Sequence, residues 1–296
     1  MQRKYVKQIS QIQILNQLSS QEESTDDFEF NEIPANVFAQ DLQKLMLRLR
    51  GENISKNGRF VQYAKLHESE LYKDYKKKAM ALNFINLSGL SENQKKAFFI
   101  NIYNALTIHG LTECDKLPSS PLDLNQFWKV TSYCIGRETY SLDDIEHGIL
   151  RCNRPHPVAV ERPFGESDSR LKYVCKEFDP RIHFALNCGA FSCPPINVYN
   201  ENNLEDALTL ATKSFCELEV KVIGKDLVLS QLFQWYRSDF GSTEVEAIRW
   251  ILAYLSEESA SPIKDLLFCL ERIGGISIRY QPYNWNLNNL DVTDMD

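Results

Sequence analysis

Between His183 and Pro195 the chain reads HFALNCGAFSCPP, which puts one histidine and two cysteines within thirteen residues. Four chemistries are open to such a set. Cys188 or Cys193 could be a nucleophile with His183 as its base, if the fold brings thiol and imidazole within hydrogen-bond reach. His183, Cys188 and Cys193 could supply three zinc ligands, but no fourth ligand stands at a familiar spacing and no CxxC pair is present. A Cys188–Cys193 disulfide would close a short loop, although a reducing compartment works against it. The fourth reading is packing, a tight core turn lined by small apolar sulfurs. On an ideal strand over RIHFALN, His183, Ala185 and Asn187 share one face, and Cys188 joins Phe184 and Leu186 on the other. His183 and Cys188 are then not immediate neighbours. Gly189 lets the chain reverse and return Cys193 towards His183, and Pro194 holds Cys193 extended.

Two further segments place polar groups where a core is expected. KKAFFINIYNALTIHGL is apolar nearly all round a helical wheel, yet Asn101 and Asn104 share a stripe with Ala97 and Ile108. A buried amide left unpaired costs about 1–3 kcal/mol. The two asparagines therefore either hold neighbouring loop backbone or orient a catalytic side chain or ligand. In SLDDIEHGILR, Ser141 and Asp144 match a capping box, and Leu142, Ile145, Ile149 and Cys152 form the core face. Glu146 falls inside that apolar arc, with His147 and Arg151 nearer its polar edge. A carboxylate facing a core is either paired, here with Arg151 or Arg181, or kept for proton transfer or for orienting a histidine. Metal-assisted hydrolysis through His183, His147 and Glu146 is a further variant. No metal site and no cofactor is expected from the spacings taken together.

These groups need a framework to hold them. Periodicity predicts helices at 36–50, 68–82, 92–111, 142–152, 203–217, 231–239, 244–256 and 263–273. KVTSYCI and ETYS read as a hairpin about Gly136-Arg137, and LEVKVIGKDLVLS as a second one turning at Gly224-Lys225-Asp226. RIHFALN and GISIRYQPYNW read as single strands. The expected class is α+β, with a buried central helix and a helical half packed on a mostly antiparallel sheet. Residues 1–33 read as a polar tail or linker, 34–290 as one globular domain and 291–296 as a tail.

Composition narrows the partners. A net charge of −7 argues against nonspecific binding to nucleic acid or to an anionic membrane surface. No apolar run is long enough to span a membrane, and the basic, polar first residues lack the pattern of a signal peptide. A soluble, cytoplasmic chain is expected. Of the eight cysteines, most, such as Cys216 and Cys269, lie in apolar surroundings and read as small buried hydrophobes.

AFFINIYNALTIHGL, YSLDDIEHGILR, DPRIHFALNCGAFSCPPI, LSQLFQWYRSDFG and YQPYNWNLN together resemble the domain of unknown function 547 family, over roughly residues 60–288. The resemblance implies that Asn101, Asn104, Glu146, Arg151, Asp179, Arg181, His183, Cys188, Cys193 and Pro194 occupy motif positions, and it assigns them no chemistry. Asn284 stands where the family pattern has an acidic residue before the tryptophan. At fold level, a buried helix followed by strands, one bearing a histidine, is similar to papain-like and transglutaminase-like enzymes. Here, however, no cysteine opens the helix.

Two functions from different classes follow. The first is a cysteine–histidine hydrolase or acyl/thiol transferase. Cys193 or Cys188 attacks, Glu146 or an asparagine orients His183, and Asn101, Asn104, Arg151 and Arg181 support the pocket. The alternative is a non-catalytic module for protein partners, with Trp235, Tyr236 and Phe240 as an exposed aromatic anchor and the polar motif residues structural. An open cleft reaching His183 favours the enzyme, whereas a closed core with exposed Trp235 favours the module.

Overall fold

The computed structural model describes residues 12–17, 33–273 and 277–290. Strands β1 (Gln13–Ile14) and β2 (Ile33–Pro34) precede helices α1 (Ala35–Asn53), α2 (Tyr63–Glu68) and α3 (Glu70–Met80). Next come β3 (Ile85–Asn86) and the long helix α4 (Glu92–Thr112). One turn of helix, α5 (Phe127–Val130), leads into β4 (Thr131–Ile135), β5 (Glu138–Ser141) and a π-helical segment at Asp144–Leu150. A 3₁₀ turn follows at Pro180–Phe184. The remainder is α6 (Leu204–Glu219), β6 (Lys221–Ile223), β7 (Asp226–Ser230), α7 (Gln231–Trp235), α8 (Arg237–Phe240), α9 (Glu244–Leu252), α10 (Glu257–Ile273) and β8 (Ser277–Gln281).

The class is α+β. Both expected hairpins form: β4 pairs antiparallel with β5 and β6 with β7. Gly136 and Arg137 turn the first at φ 58° and 70°, and Gly224 turns the second at φ 65°. The sheets are small and mixed rather than one mostly antiparallel sheet, because β1–β4, β2–β3 and β7–β8 are parallel pairs. Ser91 fixes the start of α4 through a capping box with Gln94. Sixteen of its twenty-one residues are buried, so its polar side chains must find partners inside the protein.

One expected strand does not exist. RIHFALN enters as the 3₁₀ turn Pro180–Phe184 and leaves as a bend. The Asp179 side chain accepts the Arg181 N–H and Pro180 takes the first helical position, a cap-and-proline start that overrides the residue alternation. The turn lies between two apolar clusters. Ile182 belongs to the larger one around α4, and Phe184 to the one formed by α6 to α10 and their strands.

Residues 12–17, inside the stretch read as a tail or linker, are docked. Buried Asn16 donates to the carbonyls of Ala79 and Cys134 and accepts the Cys134 N–H. The other tail positions, 1–11, 18–32 and 291–296, lie outside the described residues, as does the side chain of Cys269. Among the described residues no helix is long and apolar enough to cross a membrane.

Candidate thiol and histidine site

Gly189, at φ 90°, reverses the chain after Cys188 and brings Cys193 back onto it. The two sulfurs stand 3.1 Å apart. The Cys193 Sγ also accepts the Cys188 N–H at 3.2 Å and the Tyr283 hydroxyl at 3.3 Å. Burial pushes the Cys193 thiol up, but the hydrogen bonds from Cys188 and Tyr283 and the Ala190 backbone outweigh it, and the net direction is down. Cys188 moves up, through its bond to Cys193 and its own burial.

The turn that carries both cysteines is clamped from α4. Asn104 donates to the Ala185 carbonyl at 2.9 Å and accepts the Asn187 N–H at 2.8 Å. Asn101 makes the same two-way pair with the Tyr199 backbone, at 2.7 and 2.9 Å. Both asparagines thus hold loop backbone. Asn187 adds an inner strut, donating to the Pro194 carbonyl and accepting from Gly189 N–H and Asn288.

His183 is buried and its Nε2 lies 2.8 Å from Asp239 Oδ2. Asp239 also receives a two-pronged bond from Arg151, at 2.8 and 3.1 Å, and one from Arg154 at 3.0 Å. Burial raises the Asp239 carboxyl, but the hydrogen bonds from His183 and Arg151 hold it well below the usual carboxylate range. The ionised Asp239 can only accept, so the proton of this bond sits on His183 Nε2. The His183 ring lies on Tyr236 with centroids 4.0 Å apart.

Tyr236 donates to Glu146 at 2.6 Å. Burial raises the Glu146 carboxyl, while His147, His183, Tyr236 and Arg151 together bring it below its ordinary value. The neighbouring Asp143 has fewer compensating partners; burial and the charge of Glu146 push it up to about 7. His147 is buried too, and desolvation brings it down to about 4. Arg151 donates to His147 Nδ1 at 3.0 Å and to the Pro155 carbonyl at 2.8 Å. The capping box of Ser141 and Asp144 forms as expected. The helix then widens: Arg151 N–H bonds Glu146 O and Asn153 N–H bonds Gly148 O, both five residues back. A wheel drawn at 100° per residue fails here, and His147 and Arg151 end up buried rather than at a polar edge.

Cys188, Cys193, His183, Glu146, His147 and Asp143 line one pocket of about 370 Å³. Its far wall is aromatic. Trp128, Trp235, Tyr283 and Trp285 form a continuous cluster with ring centroids 4.9 to 5.9 Å apart. His183 makes no hydrogen bond to either cysteine among the described residues; its partner is Asp239, and theirs are each other and Tyr283. Arg181 is outside the pocket, occupied by Asp179, Glu205 and Thr209. No group of three or more His, Cys, Asp or Glu side chains among the described residues is arranged to hold a metal ion.

Residues 87–216 match the family model described as Protein of unknown function, DUF547. This stretch is similar to that family, whose model covers less than half of the chain. None of the curated proteins and none of the solved structures matches the chain.

The matched segment carries α4, the π-helical segment, the 3₁₀ turn and both cysteines. The pocket is completed from outside it, by Trp235, Tyr236, Tyr283 and Trp285, with Asp239 behind His183. The sequence pattern offers Glu146 or an asparagine as the partner that orients His183; the hydrogen-bond partner of His183 is Asp239. Nothing local marks Asp239, which reads as a helix-end residue before Gly241. Its one signal is that a buried histidine and arginine in the matched segment need an anion. Asn284, the departure from the family pattern, is exposed and accepts the Asn286 N–H.

Proposed function

We propose that the pocket is the active site of a thiol-dependent hydrolase or acyl transferase, with Cys193 as nucleophile. The observation that carries this reading is one shared cavity: Cys193, its sulfur held by hydrogen bonds from Cys188 and Tyr283, and His183, backed by Asp239, both line it. The Sγ attacks an acyl carbonyl carbon, and the S–C bond forms as the bond to the leaving group breaks. His183 takes the thiol proton at Nδ1, directly or through water, and returns it to the leaving group. Water or a second nucleophile then cleaves the thioester. Asp239 keeps His183 in one tautomer and balances the imidazolium that forms, while Arg151 keeps Asp239 ionised.

The competing module reading needs Trp235 on the outside. Trp235 is half-buried and stands in the pocket wall against Tyr283 and Trp285, which favours the enzyme.

Rapid mixing with p-nitrophenyl acetate tests the reading. The expected result is a stoichiometric burst of nitrophenolate, an acetyl group on the tryptic peptide of residues 182–213, and loss of both in Cys193→Ala. No burst and no acylated peptide from folded wild-type protein would sink it.

A further inference from the structure

Seven cysteines are free among the described residues, and two of them stand apart. Cys175 and Cys216 are buried single thiols that burial pushes up to about 12. Cys114, Cys134 and Cys152 also move up with burial. Cys188 and Cys193 alone among the described cysteines have sulfur in contact with sulfur. A disulfide has its sulfurs about 2.05 Å apart, so closing this gap of 3.1 Å asks for a movement of only about 1 Å. The loop is already reversed by Gly189 and braced by Asn187, and the Cys188 N–H already points at the Cys193 sulfur. Both thiols line the pocket, so a small reagent has a route to them.

We propose that Cys188 and Cys193 form a reversible disulfide by exchange with a low-molecular-weight disulfide, and that this bond closes the thiol of the pocket. Cys193, as thiolate, attacks one sulfur of the reagent RSSR. A Cys193–SR bond forms and RS⁻ leaves, taking up the proton that Cys193 lost. Cys188 then loses its proton and attacks the Cys193 sulfur. The protein disulfide forms and the second RS⁻ departs with that proton. The net change is RSSR plus two protein thiols to one protein disulfide plus two RSH. The roles follow from the site: Cys193 gathers the hydrogen-bond donors and is the attacking sulfur, and Cys188 is the resolving one. The proposal builds on the thiol reading of the pocket but needs only that Cys193 be reactive.

The test uses the full chain, reduced and desalted, then incubated with glutathione disulfide, quenched in acid and digested with trypsin without reductant. Cys188 and Cys193 share the peptide of residues 182–213. The expected product is that peptide lighter by two hydrogens. Alkylation of Cys193 by iodoacetamide is lost at the same time and returns after dithiothreitol. In Cys188→Ser the reaction stops at the glutathione adduct of Cys193. A wild-type peptide that keeps both thiols, or that stays as the adduct, overturns the proposal even if the variant fails to fold. The ester burst separates this result from the acyl-transfer reading. Acylation without disulfide formation overturns the disulfide alone, and disulfide formation without acylation supports it while removing the acyl chemistry.

Discussion

At His147 the protonation state is set by burial, and the consequence can be followed with pH. Desolvation brings His147 and His109 each down to about 4 in the folded protein. An unfolded histidine titrates near 6.5. Between those values the unfolded chain binds more protons than the native one, so stability falls as pH drops from about 6.5 to about 4. Urea midpoints over that range should fall, and His147→Gln, which keeps an acceptor for Arg151, should fall less. An identical decline in the variant would refute the assignment to His147. Asp143 has the opposite sign. Its folded pKa, about 7, lies above the unfolded value near 3.9, so the native state is the one holding the extra proton between them. Stability is therefore lost as pH rises through that window. Asp143→Asn should match wild type near pH 4 and exceed it at pH 8 by on the order of 1–4 kcal/mol. A gain that does not depend on pH would count against burial as the cause.

At the scale of elements, the cysteine turn is held by α4 and shaped by one glycine. Asn104→Ala removes both bonds of the clamp and leaves the Ala185 carbonyl and the Asn187 N–H unpaired, which should cost about 1–3 kcal/mol and slow alkylation of Cys193. Gly189→Ala meets two obstacles: a positive φ of 90° and a side-chain position 2.6 Å from Leu111 Cδ1. A loss on the order of 2–4 kcal/mol in urea unfolding, with broken Cys188–Cys193 contact, is expected. Retained stability with unchanged alkylation would show that the turn does not depend on this glycine. These elements also show what sequence could and could not convey. α4, the capping box at Ser141 and the turn at Gly189 are written in neighbouring residues, so local rules found them. The 3₁₀ turn was hidden because alternation in RIHFALN imitates a strand, while Asp179-Pro180 decides otherwise. The π-helical widening has no composition signature, and it is what buries His147 and Arg151. Asp239 is fifty-six residues from His183, beyond any local pattern.

At the scale of the molecule, the site is also the joint between two cores. Ile182 packs into the cluster around α4 and Phe184 into the one around α6 to α10, and the polar residues between them tie the halves together. Asp239, on α8, binds His183, Arg151 and Arg154, all from the other side of that joint. Tyr236, just before α8, does the same with Glu146. Such a joint makes cooperative unfolding depend on one carboxylate. Asp239→Asn keeps the shape but leaves the buried Arg151 without its anion, a loss of about 3–5 kcal/mol by comparison with other broken buried pairs. Because that loss falls on the joint rather than inside either core, it should uncouple them. Wild type should unfold in urea in one transition, identical by tryptophan fluorescence and far-ultraviolet circular dichroism. In Asp239→Asn the two probes should separate. Trp128, Trp235 and Trp285 report on the pocket wall and Trp250 on the second core, so Trp250→Phe would assign the phases. One coincident but shifted transition in Asp239→Asn would mean that the apolar contacts across the joint are sufficient, and that Asp239 serves His183 alone.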